Sequence, residues 1–181
     1  MSGGGAGGGG GARLFVAVWP PPWVGELLAA LPRPAVPGLR WTTPEQWHVT
    51  LRFLGSCPRA AAVAAFEGLS LAGPVEAVLG PATGRFGRSV LHVPVAGVEG
   101  LAAAVSGLPS PEADRPFRGH LTLARARDRR GTDLAGLGLV GMAVAARWPV
   151  GAVTLVESHL GRGPARYEVV ARRVLEPNTR L

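Results

Sequence analysis

Two copies of the tetrapeptide His-x-Thr-Leu constrain the fold of this chain more than any other feature of its sequence. The copies are HVTL at 48–51 and HLTL at 120–123, and each lies inside a segment with β-strand character. Thr and Leu account for 8 and 22 of the 181 residues, so chance would place x-Thr-Leu after two of the four His in about 2 of 10,000 such sequences. The repeat therefore predicts two similar halves that each contribute one motif.

The spacing of the motif determines which side chains act together. Residues i and i+2 of a strand point to the same face, so His48 and Thr50 project together, as do His120 and Thr122. A single His-x-Thr is an ordinary strand sequence, but two copies in duplicated surroundings predict a cleft with two imidazoles and two hydroxyls. Two imidazoles can serve as general acid and general base, and hydroxyls can donate hydrogen bonds to phosphoryl oxygens. This arrangement predicts in-line attack at phosphorus without a metal ion, and it leaves open which His has which role.

The rest of the chain alternates strands and helices in an order that runs twice. Strands are expected at 14–19, 46–54, 75–79, 89–95, 117–125, 150–160 and 167–175. Helices are expected at 20–31, 59–69 and 98–108, with a weaker one at 133–139. The first helix opens at three prolines and ends before Pro32, and Trp23, Leu27, Leu28 and Leu31 recur in it at helical spacing. Gly55 is expected to close the second strand.

Composition excludes several classes of protein. Hydrophobic residues make up 47% of the chain and charged residues 17%, which is the opposite of the balance in a disordered protein. Residues 1–12 are expected to be a flexible Gly-rich tail, and residues 13–181 to form one domain of two lobes. The uncharged stretch at 134–146 is too short to span a membrane, and no signal peptide is visible. We therefore expect a cytoplasmic protein that makes no use of a membrane.

Cysteine and charge content narrow the chemistry further. Cys57 is the only cysteine, so an intrachain disulfide and a thiolate metal cluster are both excluded. The chain lacks the His-Glu-x-x-His and His-x-His spacings of metal sites and the Gly-x-Ser-x-Gly elbow of a serine nucleophile, so neither a metal nor a cofactor is expected. The 19 basic residues, all Arg, exceed 12 acidic residues and give a net charge of +7, which favours an anionic partner such as nucleic acid.

Arginines near the motifs are candidates for substrate contacts. Arg52 and Arg118 share the alternation of the motif His and Thr, so they either bind phosphate oxygens or are solvated ends of strands. Further arginines have the opposite alternation and are expected to form an exposed basic run, which either attracts an RNA backbone or is only a solvated loop: Arg125, Arg127, Arg129 and Arg130.

Four aromatic or histidine side chains outside the motifs also have alternative interpretations. Trp41, Trp47 and Tyr167 either stack on a nucleobase or pack in the core. His92 is expected at the surface, because Leu91 and its apolar neighbours in the same strand point to the other face.

The motifs and their order resemble those of the 2H phosphoesterases, and within that superfamily the RNA 2′,3′-cyclic phosphodiesterase family, also called 2′-5′ RNA ligase-like or LigT. The segments that carry the resemblance are RLFVAVWPPP at 13–22, RWTTPEQWHVTLRFLG at 40–55, FRGHLTLAR at 117–125 and LVESHLGRGPARYEV at 155–169. Two positions depart from the family pattern. Gly119 stands where Pro often precedes the second motif, and His159 stands where Arg is common.

The resemblance implies a duplicated α+β fold, with antiparallel sheets in two lobes around a central cleft. It also implies that His48 is the proton donor and His120 the proton acceptor, with Thr50 and Thr122 holding the phosphoryl oxygens. The implied activity is metal-independent hydrolysis of an RNA-terminal 2′,3′-cyclic phosphate to a 2′-phosphomonoester, in RNA processing, by a monomer. Two alternatives stay open, namely 2′-5′ RNA ligation and a basic RNA-binding module with little turnover.

Overall fold

The structure is a computed structural model that describes residues 11–112, 114–126, 134–161 and 163–176. The first strand begins at Ala12, and the Gly11 carbonyl accepts a hydrogen bond from the Ser56 hydroxyl at 2.8 Å. This strand thus starts slightly before the expected end of the tail, and residues 1–10 of that tail lie outside the described residues. None of the described helices is long and apolar enough to span a membrane.

Ten strands and three α-helices form the described part of the chain. The strands are β1 (Ala12–Val18), β2 (Leu39–Trp41), β3 (Val49–Cys57), β4 (Val75–Leu79), β5 (Gly84–Phe86), β6 (Val90–Ala96), β7 (His120–Ala126), β8 (Ala146–Val150), β9 (Ala152–His159) and β10 (Arg166–Val174). The helices are α1 (Pro22–Ala29), α2 (Arg59–Glu67) and α3 (Glu99–Ala104), and a 3₁₀ turn lies at Pro44–Gln46. The sequence pattern predicts all of these elements except β2, β5, β8 and the 3₁₀ turn.

All strand pairs are antiparallel and follow the order β10-β9-β1-β3-β7-β6-β4-β8, with β2 added to β7 and β5 to β6. The two motif strands, β3 and β7, are neighbours at the middle of this order. They share a single backbone pair, Val49 with Leu121. The expected α+β fold of two antiparallel lobes is therefore confirmed, with the two motifs at the junction of the lobes.

The first motif contains a β-bulge. In the pairing of β1 with β3, Ala17 lies opposite Thr50 but Val16 lies opposite Arg52, so Leu51 is an extra residue on β3. An extra residue reverses the facing of the side chains that follow it.

The second motif contains a β-bulge at the equivalent position. In the pairing of β6 with β7, His92 lies opposite Thr122 but Leu91 lies opposite Ala124, so Leu123 is an extra residue on β7. Both Leu123 and Ala124 are fully buried, which breaks the alternation expected of a regular strand.

Strand β1 separates two apolar layers. Its residues Leu14, Val16 and Val18 belong to the main core, which also takes in buried residues of α1, α2 and α3. The alternate residues of β1 lie on the opposite face, in a small cluster that comprises Phe15, Ala17 and Val156, flanked by Trp19, Phe53 and Tyr167. We call this second face of the sheet the cleft face.

Helix α1 buries a narrower stripe than the sequence spacing predicts. Val24 and Leu28 are fully buried, whereas Trp23 and Leu27 are 49% and 37% exposed. The helix of eight residues therefore packs on the core through one pair at i and i+4, and Trp23 and Leu27 lie on its more exposed side. Gly55 does not close β3, because it lies inside the strand with φ at +73°. Residues 134–138 form turns, so the part of the weak helix that the structure describes is absent.

Candidate active site

The two motifs lie side by side with opposite directions at the centre of the sheet. Because Val49 pairs with Leu121 in an antiparallel register, one step along each strand sets His48 beside Thr122 and Thr50 beside His120. This register brings the His and Thr of the two motifs to one junction, and their roles there stay a prediction. Each histidine lies next to the threonine of the other motif.

The two histidines have the same hydrogen bond to the backbone. His48 Nδ1 lies 2.8 Å from the Gln46 carbonyl oxygen, and His120 Nδ1 lies 2.7 Å from that of Arg118. A carbonyl oxygen only accepts, so each Nδ1 carries the proton and donates it. In the neutral ring, Nε2 is then the basic nitrogen. Both imidazoles therefore offer Nε2 for proton exchange with a substrate.

His48 is surrounded by three aromatic rings of the cleft face. Its ring centroid lies 4.8 Å from that of Phe15, 5.2 Å from Trp19 and 5.0 Å from Tyr167. Trp19 is held in place because its Nε1 donates to the Thr154 hydroxyl at 2.8 Å. Burial in these surroundings, reinforced by the charges of His120 and Arg125, lowers the pKa of His48 to about 4. The free site therefore keeps His48 neutral at pH 7.

His120 has aromatic neighbours of its own. Its ring meets Phe86 edge-to-face at a centroid distance of 4.7 Å, and it meets His92 at 5.6 Å. Burial, followed by the charges of Arg125 and Arg115, lowers the pKa of His120 below its ordinary value. The neutral form that a general base requires is thus favoured at neutral pH.

His92 is not at the surface, so the expectation from the sequence is wrong. It does point away from the core, but the cleft face is covered at this position and His92 is only 8% exposed. The cover is β5, which the sequence pattern does not predict. Gly84 pairs with His92, and the ring of Phe86 stacks on its imidazole at 3.9 Å and 5°.

Arg52 does not share the face of His48 and Thr50, contrary to the expectation from simple alternation. The bulge at Leu51 sets Arg52 opposite Val16, a residue of the main core. Its Nε and one Nη both donate to the Leu108 carbonyl, at 3.1 and 2.9 Å. The guanidinium therefore holds the chain that follows α3. Arg52 also lines the open groove that contacts Thr50 and His120, so its binding of phosphate oxygens stays a prediction.

Arg118 is exposed and precedes β7, where its carbonyl accepts the His120 bond. It lines an open groove of about 850 Å³ that also contacts Thr50 and His120 and is bounded by α3. Gly119, which follows it, is required by the backbone, because a Cβ there would overlap the Val95 carbonyl oxygen. The departure from the family pattern at 119 therefore has a local cause.

Arg125 belongs to the cleft face, although its alternation in the sequence predicts the opposite. The bulge at Leu123 turns Arg125 to the side of His120, and its charge lowers the pKa of both motif histidines, although less than burial does. Arg40 is its partner on β2. The remaining members of the expected basic run, Arg127, Arg129 and Arg130, lie outside the described residues.

The three candidates for base stacking lie in different parts of the structure. Tyr167 lies on the cleft face beside His48. Trp47 is 1% exposed in the main core, and Trp41 packs against the same core. Trp47 nevertheless serves the site, because its Nε1 donates to the Thr42 hydroxyl, which lies 2.8 Å from the Leu123 carbonyl oxygen at the second bulge.

His159 lies on the other side of the sheet from the motif histidines. Its Nε2 is 3.2 Å from a Glu168 carboxylate oxygen, and Arg59 of α2 binds both Glu168 and Glu157 at 3.2 Å. Glu157 pairs with Leu14 of the main core, so this charged group is remote from the cleft face. The structure therefore places His159 away from the motif histidines.

The arrangement is suited to acid–base chemistry on an anion. Both Nε2 atoms are basic in the free site, two threonine hydroxyls lie beside them, and Arg125 supplies positive charge. Among the described residues, no three His, Cys, Asp or Glu side chains are grouped as ligands for a metal ion. The aromatic residues Phe15, Trp19 and Phe86 were not singled out from the sequence, although the alternation of Phe15, Ala17 and Trp19 was a usable signal.

Known proteins share both sequence and fold with this chain. Residues 18–78 match the family model described as LigT like Phosphoesterase, whereas no curated protein sequence matches significantly. The crystal structure of TT0787 from Thermus thermophilus is similar with a TM-score of 0.72 and 28% identity, over 92% of this chain and 99% of that one. The apo form of LigT from E. coli is similar with a TM-score of 0.71 and 25% identity, over 92% of this chain and 99% of that one. For the complex of that LigT with 3′-AMP, the TM-score is 0.67 and the identity 25%, over 91% of this chain and 98% of that one.

Proposed function

The chain belongs to the LigT-like phosphoesterases of the 2H superfamily, and on that premise we propose that it hydrolyses an RNA-terminal 2′,3′-cyclic phosphate to a 2′-phosphomonoester. The observation that supports this most is the pair of Nε2 atoms, one on each side of the motif junction, each on a ring whose Nδ1 proton is held by a carbonyl. A cyclic phosphodiester needs one proton removed from water and one delivered to the leaving oxygen.

In the proposed reaction His120 is the proton acceptor and His48 the proton donor. His120 Nε2 removes a proton from water as the water oxygen bonds to phosphorus. The bond from phosphorus to the ribose O3′ breaks, and His48 gives its Nε2 proton to that oxygen. Thr50 and Thr122 donate hydrogen bonds to the two non-bridging oxygens, and Arg125 adds charge stabilisation.

Protonation of His48 accompanies the arrival of substrate in this proposal. The free site disfavours the charged ring, because burial lowers the pKa of His48 to about 4. An anionic phosphodiester placed beside the ring has the opposite effect, since it favours the imidazolium. Binding of the substrate thus favours protonation of His48, which later donates this proton to the leaving group.

The choice of RNA rests on charge and on the similar proteins. The chain carries a net charge of +7, and Arg40 and Arg125 are adjacent on the cleft face. The LigT structure from E. coli was solved with 3′-AMP, which supports a nucleotide as the bound group. That the enzyme is a monomer of the cytoplasm stays a prediction.

Ligation is the second candidate, in which an RNA hydroxyl replaces water and a 2′-5′ linkage forms. The open groove of about 850 Å³ beside Thr50 and His120 favours it, because a second strand would have room to approach. A binding module with little turnover is the third, and the paired Nδ1 bonds argue against it, since binding alone does not need oriented Nε2 atoms.

Product analysis separates these functions. An oligonucleotide with a 2′,3′-cyclic phosphate end is incubated with the protein, with and without EDTA and with and without an acceptor strand that carries a 5′-hydroxyl. We expect a 2′-phosphomonoester in both EDTA conditions. His159→Ala is the matched control for His48→Ala and His120→Ala, because it removes an imidazole from the other side of the sheet. Absence of turnover in the unmodified protein, or turnover that requires an added divalent ion, would contradict the proposal.

A further inference from the structure

His92 is a third histidine beside the motif histidines, and the acid–base scheme does not use it. It lies opposite Thr122 in the pairing of β6 with β7. Its ring centroid is 5.6 Å from that of His120, with an interplanar angle of 79°. Since only 8% of the residue is exposed, His92 contacts the site as part of its inner lining.

Phe86 and His92 form one stacked pair of rings beside His120. Their rings stack with centroids 3.9 Å apart and planes 5° from parallel. Both rings stand nearly perpendicular to that of His120, at 84° for Phe86 and 79° for His92. We call this pair the Phe86–His92 wall. A close-packed wall on one side of an imidazole limits the rotation of that ring.

His92 is poorly suited to exchange protons itself. Its Nδ1 is buried and has no hydrogen-bond partner among the described residues. Its Cε1 and Nε2 edge lies against Gly84, where an added Cβ would come within 3.1 and 3.2 Å. Burial and then the His120 charge lower the pKa of His92 to about 4. The ring is therefore neutral near pH 7 and influences its neighbours by packing.

We propose that His92 is a positioning residue for His120. Together with Phe86 it holds the His120 imidazole in the orientation in which Nδ1 donates to the Arg118 carbonyl and Nε2 faces the phosphorus centre. The proposal rests on the proposed function for its kinetic readout, but its spectroscopic readout is measured in the free protein.

The surroundings of His120 define what a spectroscopic readout reports. The charged groups that lower the pKa of His120 are Arg125 on its own strand and Arg115 in the preceding loop, and the charge of His120 acts in turn on His48 and His92. Neither arginine is altered by a change at 92, so a shift in the His120 titration reports a change in the Phe86–His92 wall.

The first test compares two replacements of His92. His92→Ala removes the ring, and we expect kcat on the cyclic-phosphate oligonucleotide to fall about tenfold or more with little change in KM, because a misplaced base costs rate and not affinity. His92→Phe keeps a ring of similar shape, and we expect kcat within about threefold of the unmodified protein. Imidazole NMR of the free protein should show the pKa of His120 rising toward its ordinary value in His92→Ala and unchanged in His92→Phe.

The second test displaces the ring without removing it. Gly84→Ala sets a methyl group against the His92 edge, so we expect it to lower kcat and to shift the His120 resonances. In the His92→Ala background the same methyl meets open space, so Gly84→Ala should have no further effect. Gly84→Ala alone, with His92 present, also tests the proposal if His92→Ala does not fold.

Val93→Ala is the control for loss of packing alone. Val93 is a fully buried residue of the same strand on the core face, and its truncation should lower stability while leaving kcat and the His120 titration unchanged. The proposal is overturned if His92→Ala leaves both readouts unchanged, or if His92→Phe is as damaging as His92→Ala. If the unmodified protein does not turn over cyclic phosphates, the proposed function fails, and the NMR titration still decides the role of His92.

Discussion

Opening the aromatic surroundings of His48 should shift the pH dependence of the reaction. Tyr167 covers one side of the imidazole, with ring centroids 5.0 Å apart, and is itself only partly buried. Tyr167→Ser would admit water to the ring. Because burial is the largest cause of the low pKa of His48, hydration should raise that pKa from about 4 toward 6.5.

The size of the effect follows from the shift itself. The pKa of His48 is lowered from its ordinary value of 6.5 to about 4. This shift means that the site disfavours the charged imidazole by about 3 kcal/mol. Three rings bury the imidazole, so the loss of one ring should raise the pKa of His48 by about one unit. A proton donor must be charged to act, and above pH 6.5 His120 is neutral, so kcat/KM there is proportional to the small charged fraction of His48. That fraction grows about tenfold for one unit of rise in the pKa of His48, so kcat/KM above pH 6.5 should rise by up to that factor.

Two measurements check this prediction. Initial rates between pH 3.5 and 8.5 should give a bell for the unmodified protein with its maximum below pH 6.5, since the pKa values of both histidines are lowered. Imidazole NMR of the free protein gives the His48 titration directly. Val169→Ser is the matched control, because Val169 is an exposed residue of the same strand, two positions along. A His48 pKa near 6.5 in the unmodified protein, or an unmoved one in Tyr167→Ser, would refute the reasoning.

Three further predictions concern rate, charge and stability. His48→Ala and His120→Ala should each lower kcat about 10²–10⁴-fold, and the double variant should be little worse, because both act in one step; additive losses would contradict this. Arg125→Gln should flatten the salt dependence of binding to a similar extent for a cyclic mononucleotide and for a cyclic-phosphate oligonucleotide, because both carry the phosphate beside Arg125; titration from 50 to 200 mM salt measures it, and an effect on the oligonucleotide alone would contradict the placement of Arg125. The free energy of unfolding should fall as the pH drops from 6.5 toward 4, because His48 and His92 take up protons more readily in the unfolded chain. Each of the two histidines should lower this free energy by at most about 1.4 kcal/mol per pH unit. Denaturant unfolding of His92→Phe should show a shallower fall, and an equal slope would count against a buried neutral His92.

The sequence predicts the position of the site better than the direction of the side chains around it. The two motifs and the alternation within each of them indicate the junction of the lobes. Beyond the motif, alternation assigns Arg52 to the face of Thr50 and Arg125 to the opposite face, and the strand registers reverse both facings, although Arg52 still lines the groove that contacts Thr50 and His120. The cause is one extra residue in each strand, Leu51 and Leu123, which no pattern of period two can reveal.

His92 illustrates a second limit of sequence reasoning. Its face of β6 is identified correctly from the apolar residues that alternate with it. Whether that face is open or covered depends on β5, a strand of three residues that only its pairing with β6 defines. A short strand with Gly at one end carries little propensity of its own, so the burial of His92 and its contact with His120 come from tertiary structure.

The antiparallel contact of the two motifs has a consequence for ancestry. Each half of the chain supplies one imidazole and one hydroxyl, and each imidazole lies beside the hydroxyl of the other half. This is the relation that a two-fold axis imposes on two identical subunits. A precursor with one motif would complete such a site only by pairing with a second copy of itself. Fusion of two copies into one polypeptide would then free the halves to diverge, so that one imidazole could acquire the three-ring enclosure of Phe15, Trp19 and Tyr167, and the other a wall made of a second histidine.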